Sequence, residues 1–340
     1  MTLPLSRKSS AETAKAADLA AARRVLRLAG DAVDLLADGL DASFSAALDL
    51  LAAVEGRVVV SGMGKSGHIG RKIAATFSST GTPAQFVHPG EASHGDLGAL
   101  TPRDALLMLS NSGETAELSA LITHAKRFAI PLVGVASNAE SALAQAADVA
   151  LILPKAPEAC PIGMAPTTST TLMLTLGDAL AVALMERKGF SADDFRDLHP
   201  AGALGRALIR VEDIMHKGEQ LPLAPLETPM REVLIVMTAG RFGFAGVAGI
   251  VDDKGSLVGV ITDGDLRRHM QSGLIDRTAR EVMTPSPKTI PPGMLAAEAL
   301  AYMNTASHKV TKLFVVNTGD ALNHPVGLLD IHDCLRAGLR

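Results

Sequence analysis

Residues 57–81 read RVVVSGMGKSGHIGRKIAATFSSTG. The β-branched run Val58–Val60 is stopped at Gly62, and helical spacing follows as far as Gly81. The stretch therefore predicts a strand, a tight turn and a helix. The same cycle recurs downstream. AQFVH, DALLMLS, PLVGVAS and DVALILP are four more strand-like runs, with NSGETAELSALITHAKRF and AESALAQAA as the helical segments among them. Strands alternating with helices in this way build a parallel sheet with crossovers, an α/β fold. A proline-rich loop, 154–166, then leads into a long apolar helix expected over 167–188.

Upstream, Val25, Leu28, Val33, Leu36, Leu40, Phe44 and Leu48 recur mostly at three- and four-residue steps, so residues 10–55 predict amphipathic helices. Downstream, the sequence repeats itself. Met215 is echoed by Met283, and VGVITDGDLRR (258–268) by VGLLDIHDCLR (326–336), each at an offset of 68 residues. Each copy reads as a short leading strand, a helix, two strands and a helix. Such a unit needs a neighbour to bury its apolar face. The expected domains are therefore 1–208, 209–274 and 275–340.

Composition narrows the function classes. The 340 residues carry 32 Lys+Arg against 36 Asp+Glu, a net charge of −4, which argues against a basic nucleic-acid footprint. Nine Phe, one Tyr and no Trp leave aliphatic cores and few stacking platforms. Cys160 and Cys334 cannot form a disulfide framework, as expected in a reducing compartment. The most apolar stretch, 168–185, contains Asp178 and several hydroxyls and reads as a buried helix rather than a membrane span. With no apolar signal region at the start, a cytoplasmic protein without membrane partners is expected.

Two turns carry the chemistry. The first, SGMGKSG (61–67), fails as a P-loop because Val59 stands where that motif needs glycine. Gly62, Gly64 and Gly67 fit the dinucleotide pattern, but the next strand ends in Phe86-Val87-His88 rather than in a ribose-binding acid. The second turn, SNSGET (110–115), places three hydroxyls, an amide and a glycine between a strand and a helix. Side-chain donors and backbone N–H groups there suit a phosphate monoester. An ordinary serine-rich helix cap is the alternative.

SGMGKSGHIGRK, FVHPGEASHGD, SNSGET and EACPIGMAPTTSTT, in that order, resemble the sugar isomerase (SIS) domain of arabinose-5-phosphate isomerases. The 68-residue repeat with GVITDGD resembles the tandem CBS pair that follows it in those enzymes. The resemblance runs from about Ala32 to the C-terminus. It implies a SIS-type parallel sheet flanked by helices and followed by an α/β tandem CBS pair. It also implies reversible isomerisation of D-ribulose 5-phosphate and D-arabinose 5-phosphate, feeding Kdo and lipopolysaccharide synthesis. Such a reaction passes through an enediolate and needs a base, an acid and an oxyanion partner, but no redox cofactor.

Four residues match the family's catalytic positions: Lys65, Glu117, Glu158 and His199. Lys65 would hold the phosphate or the oxyanion, and His199 would shuttle protons. Spacing does not decide between Glu117 and Glu158 as the proton-transfer base; a raised carboxyl pKa would mark it. Gly64, Gly81, Thr82, His88, His94, Ser110, Asn111, Ser112 and Thr115 are the expected substrate contacts. His88 matches a family position associated with zinc that modulates activity without being required. In the first CBS unit Thr262 and Asp265 match the family's nucleotide-contact pattern, and a nucleotide or sugar nucleotide is the expected effector. In the second, Asp330 replaces the hydroxyl and would repel a ligand phosphate. Ala201 replaces the first glycine of the usual His-Pro-Gly-Gly run, and the glycine-rich 239–253 is expected to loosen the first CBS unit. A homotetramer is expected. A non-catalytic phosphosugar sensor is the competing reading, although DNA-binding relatives of that kind usually carry a basic helix-turn-helix ahead of the SIS domain.

Overall fold

The computed structural model describes residues 6–199, 202–238, 246–270, 273–305 and 310–339. Ala201 and residues 239–245 of the glycine-rich stretch lie outside them. The chain folds as two compact units, Met1–Phe195 and Arg196–Arg340.

In chain order the first unit contains α1 (Ser6–Asp38), α2 (Ala42–Ala52), β1 (Val58–Gly62), α3 (Gly64–Ser79), β2 (Ala84–Phe86), α4 (Pro89–Ala92), β3 (Ala105–Leu109), α5 (Ser119–Phe128), β4 (Leu132–Ala136), α6 (Ala142–Ala146), β5 (Val149–Ile152) and α7 (Thr168–Arg187). The five strands are parallel, in the order β2-β1-β3-β4-β5. Side chains alternate between two cores. Val58, Val60, Leu107 and Leu109 face the core that includes Leu48, Phe77 and Leu176, whereas Val59, Leu106 and Met108 face the core with Leu121 and Leu143. With both faces covered, the strands are apolar along their length, as RVVV and ALLML already indicate. The apolar helix α7 belongs to the first of these cores.

Two features fix what meets at the carboxyl edge of this sheet. β1 pairs directly with β3 from Val58↔Ala105 to Gly62↔Leu109, so the turns after both strands open side by side. In addition, α3 and α7 run parallel. A Cβ on Gly177 would lie 2.3 Å from the Ile73 side chain, Lys72 pairs with Asp178, and Lys188 beyond α7 reaches Thr82 beyond α3. Gly64 and Thr168 each stand nine residues, about 13.5 Å, before the Ile73–Gly177 contact. Both helices therefore begin at the carboxyl edge.

One segment differs from the sequence reading. The helix expected from NSGET onward starts late: residues 110–115 form a loop, Ala116–Leu118 a single 3₁₀ turn, and α5 begins only at Ser119. The cause is local. Gly113 takes φ +72°, and its N–H donates to the Ser110 hydroxyl at 3.0 Å instead of joining a helix. A side chain at Gly113 would also strike Ser141.

The second unit holds two sheets. β6 (Leu223–Pro225), β7 (Val247–Val251), β8 (Leu257–Thr262) and β9 (Thr284–Pro285) form one; β10 (Thr289–Ile290), β11 (Lys312–Val316) and β12 (Pro325–Asp330) form the other. Helices at Met230–Thr238, Asp263–Arg268, Ala296–Thr305 and Ile331–Arg336 complete two copies of the expected strand–helix–strand–strand–helix unit. The copies exchange their leading residues. β9, ahead of the second copy, pairs with β8 of the first, while His216, ahead of the first, bridges Leu328 in β12. Met283 fills the space over Gly259, and Met215 that over Gly327.

At the amino edge of the first unit's sheet, Asp104 holds the β1–β3 register. Its carboxylate is buried and accepts from Arg57 N at 2.9 Å, Thr101 N at 2.8 Å and Thr101 Oγ1 at 2.9 Å. Burial pushes this carboxyl up, and the bonds from Arg57 and Thr101 outweigh that, so its pKa lies below the usual range. Asp104→Ala is expected to cost about 3 kcal/mol at pH 7 by leaving these donors without their ionised acceptor. Because the folded carboxyl is depressed, this stabilisation is complete at neutral pH and fades as pH falls through its folded pKa. Urea melts of both proteins at pH 7 and near pH 3 check it: the gap should narrow in acid.

Candidate active site

The carboxyl edge gathers most of the residues expected from sequence. Gly64 takes φ +56° at the start of α3, and Lys65 follows it, exposed and without an ion pair among the described residues. Met63 caps α3 without a side-chain bond, which leaves the helix's first N–H groups open. One strand over, Ser110 Oγ and Thr115 Oγ1 lie 2.7 Å apart, and Ser112 Oγ accepts from Glu114 N at 3.2 Å. The Asn111 carbonyl accepts from both N and Oγ of Ser137, which holds the loop from below. The N–H groups of Asn111, Ser112 and Thr115 donate to no protein group among the described residues. One six-residue loop thus offers hydroxyls and free N–H groups together, a donor set that suits an anion.

Glu117 sits in the 3₁₀ turn next to this loop, exposed. Glu158 reaches the edge from the loop between β5 and α7 and is half-buried. Its Oε2 accepts from Thr167 N at 2.6 Å, Thr167 Oγ1 at 2.9 Å and Ser169 N at 3.4 Å. Burial raises the Glu158 carboxyl, but the bonds from Ser169 and Thr167 outweigh it and hold the pKa below the usual glutamate range. The raised pKa expected to mark the base is therefore not found at Glu158. A carboxylate at the start of a 20-residue helix is stabilised in its charged form.

His88 also lies at this edge, because Val87 bonds Val60 at the end of β1 and Ser61 Oγ donates to the Val87 carbonyl at 2.8 Å. Its Nδ1 accepts from Gly90 N at 3.2 Å and caps α4, leaving the proton on Nε2. His94 follows α4 and is exposed. Among the described residues no three His, Cys, Asp or Glu side chains come together as a metal site. His88 with its Nδ1 engaged is a poor fit for zinc, and no step below runs through a metal.

Two expected contacts lie elsewhere within the chain. Gly81 and Thr82 precede β2, at the amino edge of the sheet, since Ala84 pairs with Val58 at the start of β1. Gly81 uses φ +83° to pass under the Phe190 ring, and Thr82 Oγ1 accepts from Lys188 Nζ at 2.9 Å. Their role here is to close the turn between α3 and β2, away from the two anion loops. His199 belongs to the second compact unit and follows the helix Ala192–Leu198. Its carbonyl lies over Gly205, where a Cβ would come within 1.8 Å, which explains why glycine is needed in that segment.

In the tandem, Thr262 and Asp265 line a cavity of about 610 Å³ together with Arg267, Lys288, Lys312 and Phe314. Asp265 is not an open ligand group. Its buried carboxylate accepts from Thr262 N and Oγ1, from Thr284 Oγ1 and from Arg268, and so clamps β9 to the first CBS copy. Asp333 repeats the arrangement with His216 at 2.8 Å and with Arg336. The repulsion expected from Asp330 is also corrected. This carboxylate is buried against the Lys312 ammonium and accepts from His332 N at 2.8 Å, so its charge is balanced from within.

Sequence reading missed Thr167 and Ser169 as partners of Glu158, although the hydroxyl run TTSTT beside the EACP segment was the available signal. It also missed Lys312, since nothing local marks a lysine as the partner of a carboxylate 18 residues away.

Comparison with known proteins agrees with this geometry. The SIS domain family matches residues 51–183, and the CBS domain family matches 211–272 and 279–340. The arabinose 5-phosphate isomerase KdsD of Pseudomonas aeruginosa is 51% identical over 94% of this chain and 96% of its own length. That of Escherichia coli K12 is 47% identical over 94% and 95%. The solved structure of c3406 from E. coli CFT073, in complex with arabinose 5-phosphate, is 41% identical, covers 52% of this chain and 95% of its own, and superposes with a TM-score of 0.51. The chain thus belongs to the arabinose 5-phosphate isomerase family, with a SIS domain followed by tandem CBS domains.

Proposed function

We propose that this chain interconverts D-ribulose 5-phosphate and D-arabinose 5-phosphate through an enediolate, at the start of Kdo and lipopolysaccharide synthesis. The pairing Gly62↔Leu109 carries the reading, because it sets Lys65 and the SNSGET loop side by side at the edge where Glu158 also arrives. Ser110, Asn111, Ser112 and Thr115 bind the phosphate with their hydroxyls and free N–H groups, and Lys65 balances its charge or that of the developing oxyanion. Glu158, ionised at neutral pH, removes a proton from C1 of ribulose 5-phosphate. The electron pair moves into the C1–C2 enediolate, and return of a proton to C2 gives the aldose. Glu117, exposed beside the phosphate loop, and His199 serve the oxygens, including ring opening of the aldose in the reverse direction. No redox cofactor enters the proposed reaction.

The edge of a single chain is open: Lys65, Asn111, Ser112 and Glu117 are all exposed. An enediolate survives better when water is excluded, which favours closure by a second copy of the chain in a homotetramer. A second copy would also offer Gly81 and Thr82 a route to the substrate. A cytoplasmic location suits a phosphorylated substrate and two free cysteines. A non-catalytic phosphosugar sensor would need the phosphate loops but no base, so the ionised Glu158 favours the enzyme.

Incubation with ribulose 5-phosphate in D2O tests the assignment. Deuterium at C2 of newly formed arabinose 5-phosphate is expected. Glu158→Gln and Glu117→Gln should each lose most turnover, on the order of a hundredfold or more, while retaining phosphate-ligand affinity. Absence of arabinose 5-phosphate from the wild-type reaction would remove the assignment.

The tandem cavity is read as the seat of a nucleotide or sugar-nucleotide effector, with Arg267, Lys288 and Lys312 receiving the phosphate and Phe314 and Val247 the base. Calorimetric titration with AMP and CMP should show binding of at least one of them. Lys288→Ala should weaken it roughly tenfold through loss of a charged contact. Heat from neither nucleotide at millimolar concentration would leave the tandem a packing module.

A further inference from the structure

We infer that Thr167 is a positioning residue for the isomerisation: its hydroxyl pins one oxygen of Glu158 and so aims the other for proton transfer. This rests on the reading of Glu158 as the base.

Thr167 occupies the N-cap position of α7, where a threonine hydroxyl ordinarily accepts from an N–H of the first helical turn. Here it does not: Thr167 makes no side-chain cap bond. Glu158 Oε2 takes over the capping instead, from nine residues upstream, by accepting the N–H groups of Thr167 and Ser169. The displaced Thr167 hydroxyl turns to the loop, donating to Glu158 Oε2 at 2.9 Å and accepting from Ala159 N at 2.9 Å. It therefore bridges the glutamate and the peptide that follows it. Ala159 is buried, and its carbonyl accepts from Arg24 Nη1 of α1 at 2.7 Å, so the residue after Glu158 is held through both its N–H and its carbonyl.

The bonds from Thr167 N, Thr167 Oγ1 and Ser169 N all converge on Oε2, and the Ser169 hydroxyl adds to the stabilisation of the same carboxylate. A carboxylate anchored through one oxygen keeps a fixed direction for the lone pairs of the other. A general base needs that, because proton transfer requires heavy-atom distances of about 2.6–3.2 Å. The same bonds also favour the ionised form. Removing the Thr167 hydroxyl should let the carboxyl protonate at higher pH and swing out of line.

The test is the pH dependence of kcat in the full-length enzyme for wild type, Thr167→Val, Thr167→Ser and Glu158→Gln, with ribulose 5-phosphate saturating. Because kcat reports ionisations of the enzyme–substrate complex, the phosphate's own titration is shared by all variants. Thr167→Val is expected to move the acid limb upward by roughly one pH unit. It should also lower the plateau about tenfold, the loss of about one directional contact in the transition state, with KM changed less than twofold. Thr167→Ser, which keeps the hydroxyl, should restore both limb and plateau. If the valine variant does not fold, Thr167→Ala reads the same limb. An unmoved limb in a folded Thr167→Val or Thr167→Ala variant, or a shifted limb in Thr167→Ser, overturns the role of Thr167. Glu158→Gln separates the two claims. If it is inactive while the Thr167 variants behave as wild type, only the positioning role falls. If it is active, the base assignment falls first.

Discussion

The parallel pairing of β1 with β3 is the constraint on which the site depends. Five consecutive pairs, ending at Gly62↔Leu109, bring two separate turns to within one strand spacing of each other, about 4.8 Å. The SNSGET turn brings hydroxyls and free N–H groups, and the turn after β1 adds the Lys65 ammonium. The strand order 2-1-3-4-5 makes this junction the topological switch point, where the crossovers leave in opposite directions and a crevice opens. Asp104 at the far edge and the apolar packing on both faces hold the ladder rigid. The loops it supports are free to carry polar, exposed groups.

The second constraint is the parallel course of α3 and α7. It brings the start of α7, and with it Glu158, to the edge already occupied by the turns after β1 and β3. The chemistry then divides between elements. In the proposed reaction, helix and loop N–H groups receive the fixed negative charge of the phosphate, while the Glu158 carboxylate, favoured in its ionised form by Ser169 and Thr167, accepts the mobile proton. Depression of its pKa costs some basicity but guarantees the charged form at neutral pH. In the tandem the same logic serves structure instead. Asp265 and Asp333 each spend their carboxylates on clamping the leading residues of the other copy, which couples the two repeats.

Much of this was legible in the sequence because it is local. The β-branched runs, the glycines that stop them and the 68-residue repeat report on neighbours a few residues apart, and the strand–helix alternation they predict is the one observed. The SNSGET turn was legible for the same reason, as a donor-rich loop between a strand and a helix. Its late helix start was not, since that depends on Gly113 meeting Ser141 across the fold. Partnerships across long separations were equally hidden: Lys312 with Asp330, His216 with Asp333, Lys188 with Thr82. Gly81 and Thr82 were also beyond local reading, since the register of β2 against β1 is what carries them to the amino edge of their own chain.

The central claim is that the turns after β1 and β3 of one chain jointly hold the phosphate of a five-carbon sugar. A crystal structure of the full-length protein with arabinose 5-phosphate tests it most directly. The account predicts phosphate oxygens within hydrogen-bond distance of Ser110, Ser112 and Thr115, with Lys65 alongside and C1 or C2 facing Glu158 Oε1. A phosphate bound at the amino edge beside Arg57 and Arg103, with both turns uncontacted, would contradict it.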